Sequence, residues 1–171
     1  YSFSCQIEQG RHPVLGYCMK EGSGHIKDML IFSFILLIVF LLWARAATAL
    51  HIFFPDNAEY QLSDLALFLG FGTAIGAVFS TIVFTTSAFS LPMIMDRKTD
   101  AITAVVTSIN AVLQNKKTML LWAVMIVSFV AVGFATFFIG FIVFLPLIGH
   151  ATWHAYRDVI DASEWPETDK Y

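Results

Sequence analysis

His150 and His154 stand four residues apart in GHATWHAYRD, a spacing that on one helical face can present two imidazoles to a metal ion or a haem. Two histidines are an incomplete ligand set, and neither a paired carboxylate nor a cysteine cluster accompanies them. The other reading is a polar helix end packed against neighbours or headgroups, with Trp153 and Tyr156 in an aromatic interface belt. No cofactor is expected, and His150 and His154 remain the only candidates for a metal.

Arg45 is the only charge inside an apolar segment, and an ionisable residue there is costly enough to be a functional candidate. It lies in the outer third of its segment, where a long side chain can snorkel to the interface or reach an acidic loop. A structural role and a substrate or partner role both stand. Gly72 and Gly76, with Ser80 one turn further, form a small-residue stripe that lets another helix approach closely. The hydroxyls around that stripe (Ser80, Thr81, Thr85, Thr86, Ser87, Ser90) can bond back to their own helix, bridge to a neighbour or line a polar path. A nucleotide-binding glycine loop, a nucleophile elbow and a zinc-protease helix are all missing from the sequence.

These residues sit in a chain of 171 residues that is 57% hydrophobic and 13% charged, with a mean hydropathy of +0.71. Soluble domains are about half apolar and a quarter charged, so the sequence belongs to the membrane class. The net charge is −3 and no basic patch has interleaved aromatics, which argues against nucleic acid as a partner. The two cysteines, Cys5 and Cys18, precede the first apolar segment and are expected as free thiols.

The expected fold is an all-α membrane protein with about four transmembrane helices and one interfacial amphipathic helix. The first crossing spans 29–50, long enough for a hydrocarbon core of about 30 Å. The second, 65–95, exceeds what a bilayer requires and has Pro92 near its end, so it is tilted or broken. From Thr118 to Tyr156 there is no charge; one straight helix of that length would measure about 58 Å. A break around Gly133 to Gly140 turns it into a hairpin, with crossings at 118–135 and 139–157. Between the second and third crossings, Ile102, Val105, Val106, Ile109, Val112 and Leu113 recur at helical spacing, which predicts a surface helix over 99–115. LPMI (91–94) and LPLI (145–148) suggest an internal repeat of helix pairs.

Positive residues flank the crossings on one side: Arg11, Lys20 and Lys27, then Arg97, Lys98, Lys116 and Lys117, then Arg157 and Lys170. The connection from His51 to Asp64 carries Asp56, Glu59 and Asp64 instead, and the second hairpin turn is uncharged. Both connections are therefore expected outside and both termini in the cytoplasm. Residues 1–28 read as a cytoplasmic segment preceded by further helices, 29–157 as the bundle and 158–171 as a cytoplasmic tail.

The stretch SLPMIMDRKTDAITAVVTSINAVLQNKKTMLLWA, followed by LPLIGHATWHAYRDVID, resembles a bacterial family of predicted multi-pass membrane proteins carrying a domain of unknown function. Some of its members are labelled putative cytochrome c oxidase proteins. The likeness extends from about Ile7 to Asp161 and is strongest over Leu91 to Arg97 and Gly149 to Asp158. It implies a helical bundle in the cytoplasmic membrane with further apolar segments upstream, and no established activity. The function expected is that of a non-catalytic accessory or stabilising subunit, in contact with the bilayer and with other membrane subunits of a respiratory or energy-converting complex. A small-solute transporter and a haem or metal protein are the alternatives.

Overall fold

A computed structural model describes residues 2–8, 10, 12, 16, 24–53 and 62–168 of the chain. Among them the protein is all-α. The helices are α1 (Ser2–Glu8), α2 (Ile26–Phe53), α3 (Leu62–Ser87), α4 (Ser90–Asp96), α5 (Ala101–Gln114), α6 (Lys116–Ala135) and α7 (Phe141–Val159). Among the described residues three stretches are long and apolar enough to cross a membrane: Ile26–Leu50, Leu62–Asp96 and Lys116–Ala135. The fourth candidate, α7, is apolar only as far as Gly149; His150, His154, Arg157 and Asp158 occupy its second half.

Two compact units divide the chain, one of residues 32–84 and one of residues 1–31 and 85–171. The first holds most of α2 and α3. Its side chains are mostly exposed, as expected where lipid rather than protein is the solvent for apolar surface. In the second unit α4 packs against both α5 and α7, and α6 packs against α7. Phe89, Met93, Ile94, Trp153 and Tyr156 form its buried core. Each large apolar side chain so buried contributes about 1.5–3 kcal/mol. Trp153 and Tyr156 are therefore core residues, and the interface belt expected of them is corrected.

The long second apolar stretch is broken at Ala88–Phe89, and the cause is a serine on another helix. Ser108 of α5 accepts a hydrogen bond from Phe89 N at 3.1 Å and donates one to the carbonyl of Thr85 at 2.8 Å. Those are the two groups that would have bonded each other in an unbroken helix, so the hydroxyl has inserted into the ladder. Pro92 then falls in the first turn of α4, where its missing N–H is harmless. Ser108 is fully buried, so Ser108→Ala strands the Phe89 amide and is expected to destabilise the protein by about 1–3 kcal/mol. Thermal unfolding in detergent reads the loss; an unchanged midpoint contradicts this role.

α5 is amphipathic, but the face it turns inward is set by small residues. Ala101, Ala104, Ser108 and Ala111, with Val105 and Val112, are buried, whereas Ile102, Val106 and Leu113 are exposed. Small side chains at that spacing let α4 approach closely. Asp100 caps the helix, accepting from the amides of Ile102 (3.1 Å) and Thr103 (3.0 Å) and from the Thr103 hydroxyl (2.7 Å). Those bonds, the Thr103 hydroxyl's foremost, hold its carboxyl below the usual range. Asp100→Ala is expected to cost about 1 kcal/mol. Because the folded pKa is depressed, the contribution is complete above the unfolded carboxylate pKa of about 3.9 and lost as pH falls through the lower folded value. A pH series of melting points on both proteins checks it.

α6 and α7 form a helical hairpin whose turn covers 136–140. Phe129 stacks on Phe144 with centroids 5.0 Å apart, and Phe134 meets Phe141 edge-on at 5.6 Å. A Cβ on Gly133 would lie 2.6 Å from the Phe141 ring, and one on Gly140 would lie 2.7 Å from Thr136 Oγ1. Glycine at both positions lets the helices close. The LPMI and LPLI stretches occupy unlike settings, since Pro92 starts a helix and Pro146 lies within α7.

Candidate functional site

α4 ends on Asp96, an acidic residue placed at the negative end of a helix. The side chain is only 2% exposed, so it needs partners, and three groups converge on its Oδ2. Arg97 Nε donates at 3.0 Å, the Tyr156 hydroxyl donates at 3.1 Å, and Arg157 Nη1 stands at 3.6 Å. Arg97 and Tyr156 are themselves largely or fully buried, whereas Arg157 is 40% exposed. The first two contacts therefore dominate, because an exposed ion pair contributes only about 0–1 kcal/mol.

Arg97 extends the cluster into the segment after α7. Its backbone leaves α4 in an extended conformation and forms an antiparallel bridge with Glu167. Lys98 N donates to the carbonyl of Pro166 at 2.9 Å, and Thr168 N donates to the carbonyl of Asp96 at 3.1 Å. The guanidinium donates from Nη1 to the carbonyl of Trp165 at 3.0 Å, and Nη2 lies 3.8 Å from Glu167 Oε1. Burial lowers the Arg97 pKa, but the adjacent Asp96 outweighs it and the net direction is up. Arg97 stays charged, as a clasp requires.

The arrangement is a clasp: one buried carboxylate ties the end of α4, the last turns of α7 and residues 165–168 together. Its charged groups pair with one another, while the buried hydroxyl of Thr168 has no hydrogen-bond partner among the described residues. None of Asp96, Arg97, Tyr156 or Arg157 stood among the candidate site residues from sequence. Their signal was present, because Asp96 and Arg97 close the LPMIMDR stretch and Tyr156 and Arg157 belong to GHATWHAYRD. Read singly, the charges serve as markers of membrane orientation; only the fold shows that the two stretches meet.

The sequence-derived candidates do not gather. Arg45 is exposed on α2, in a different unit from the clasp. Gly72 and Gly76 are half-buried on α3 and Ser80 is exposed. A Cβ on Gly72 would meet Leu50 at 3.6 Å, an ordinary contact, and one on Gly76 would meet nothing within 4 Å. The Thr81 hydroxyl bonds back to the carbonyl of Ala77 at 2.8 Å. His150 and His154 are exposed on α7, and His150 Nδ1 is hydrogen-bonded to Ser4 Oγ of α1. Among the described residues no group of three or more metal-ligating side chains forms. Cys5 is buried and forms no disulfide among the described residues. Cys18, the acidic residues Asp56 and Glu59, and the positive residues Arg11, Lys20 and Lys170 lie outside the described residues.

No curated protein and no solved structure matches the chain. The first two membrane-length stretches and the LPMIMD segment ending in the buried carboxylate fall within residues 1–96, which match the family described as "Predicted integral membrane protein (DUF2189)", and the chain belongs to that family.

Proposed function

We propose that this protein is a non-catalytic, stabilising subunit of a larger assembly in the bacterial cytoplasmic membrane, an energy-converting complex such as a respiratory one, with both termini in the cytoplasm. The observation that carries this reading is the little-covered apolar surface of α3: its most apolar part has no buried residue, and Gly76 has nothing among the described residues within 4 Å of where a Cβ would stand. Small residues on a membrane helix let another backbone approach closely, and at Gly76 no side chain among the described residues stands in the way. The clasp supports a structural role, because its charged groups are matched to one another. The respiratory setting rests on the family resemblance of the sequence alone, in which some members are labelled putative cytochrome c oxidase proteins. Orientation follows from the positive residues flanking the crossings, and the meeting of Arg97 and Arg157 on one carboxylate supports placing both on one side.

Purification through an affinity tag in mild detergent, with identification of what co-migrates, tests this. Defined membrane subunits in fixed ratio are expected; a homogeneous protein without them overturns the reading. Gly76→Leu sharpens the test. It is not expected to lower this chain's melting point, because a Cβ there meets nothing within 4 Å among the described residues, while the co-migrating subunits are lost.

A further inference from the structure

We propose that the α6–α7 hairpin closes within the hydrocarbon: its turn lies among lipid acyl chains at the far side of the bilayer and does not emerge into water. The proposal concerns lipid contact and holds with or without partner subunits.

The first ground is hydrogen bonding. A loop in water can leave backbone amides to the solvent, whereas in hydrocarbon each unsatisfied group costs several kcal/mol. Around this turn every amide from Thr136 to Phe144 has a partner inside the hairpin. Phe137 N donates to the carbonyl of Phe134 (3.1 Å), Phe138 N to Gly133 (2.9 Å), Ile139 N to Thr136 (3.2 Å) and Phe141 N to Phe138 (3.1 Å). The amide of Gly140 is met by the Thr136 hydroxyl at 3.0 Å, which in turn donates to the carbonyl of Val132 at 2.9 Å. The one polar side chain of the turn is thereby engaged internally.

The second ground is the choice of residues. Phe137 and Phe138 have φ of 50° and 70°, a region where a non-glycine residue costs about 1–3 kcal/mol. Water-facing turns place Gly, Asn or Asp there and avoid the cost. Phenylalanine recovers it only if its ring leaves water, a transfer of about 1.5–3 kcal/mol. Yet within the chain Phe137 is 88%, Ile139 70% and Ile142 76% exposed. Acyl chains are the occupant that fits a surface this apolar, on which every amide is engaged.

The third ground is reach. From Thr118, just past the paired lysines, to Ala135 the helix rises about 27 Å, against a hydrocarbon core of about 30 Å. The turn therefore arrives at the far edge of the core and stops.

The test is a nitroxide label at Ile139→Cys and, separately, at Ile142→Cys, in full-length protein with Cys5 and Cys18 replaced by alanine. The protein is reconstituted in phosphatidylcholine–phosphatidylglycerol vesicles. Lys117→Cys serves as the water-side reference. Collisions with oxygen should exceed those with a water-soluble nickel chelate several-fold at 139 and 142, with the ratio reversed at 117. Nickel access at 139 and 142 equal to that at 117 overturns the proposal, and so does low access to both reagents, which would mean a protein cover. Chymotrypsin applied to both faces of membranes holding the unsubstituted protein gives a second reading: protection after Phe137 and Phe138 is expected, and cleavage there overturns the proposal.

Discussion

Asp96→Ala is expected to destabilise the protein by about 3 kcal/mol, as measured by thermal unfolding in detergent, because it removes one partner of a buried ion pair and leaves the other without compensation. The stranded groups are the Arg97 guanidinium and the Tyr156 hydroxyl, both held to the lost oxygen at close to 3 Å. Arg157 adds little, being partly exposed and more distant. Asp96→Asn keeps an acceptor for Tyr156 but gives up the charge facing Arg97, so its loss should be smaller. The damage should also appear locally. The bridge between Arg97 and Glu167 depends on the backbone direction that the clasp fixes, so residues 160–168 should become protease-sensitive in Asp96→Ala before the helices melt. Unchanged stability together with an unchanged digestion pattern contradicts the clasp.

Gly133→Leu is the second large effect, at about 3 kcal/mol, the upper end of what overpacking a closed interface costs. A Cβ there would lie 2.6 Å from the Cε1 and Cζ atoms of Phe141. That ring is also held edge-on by Phe134, so it has little freedom to withdraw. The contrast with Gly76→Leu is instructive. Both changes replace a helical glycine with a better helix former, a gain of up to about 1 kcal/mol in propensity. Only at the first does a Cβ crowd a neighbour among the described residues. Melting both variants in one detergent should show a large loss at 133 and none at 76; equal losses contradict the packing described.

The fold class was legible in the sequence because lipid imposes a strong rule: gaps in charge of spanning length become helices. Membership of a membrane-protein family was legible in the resemblance, although the family match covers residues 1–96 and so reaches LPMIMD and not GHATWHAYRD. The break at Ala88–Phe89 was not, since sequence points to Pro92 as the local irregularity and the actual cause is a hydroxyl from a residue nineteen positions away. Periodicity alone treated all six large apolar residues of α5 as one face. Alanine carries too little hydropathy to reveal that the buried face is built around Ala101, Ala104 and Ala111. Trp153 and Tyr156 looked like belt residues because an amphipathic aromatic near a helix end suits both a lipid interface and a polar core, and the burial of both, with Asp96 beside Tyr156, decides between them. The clasp escaped for a related reason: charges at the ends of membrane helices follow one another in sequence as orientation markers, and pairing between residues sixty positions apart leaves no trace in their spacing.

The meeting of the two conspicuous stretches on one buried carboxylate is best tested by a double-mutant cycle with Asp96→Ala and Tyr156→Phe, singly and together, on unfolding free energy. A hydrogen bond to a charged group contributes about 1.5–3 kcal/mol, so a coupling energy of that size is predicted. Additive losses, with coupling indistinguishable from zero, would contradict the contact and with it the clasp.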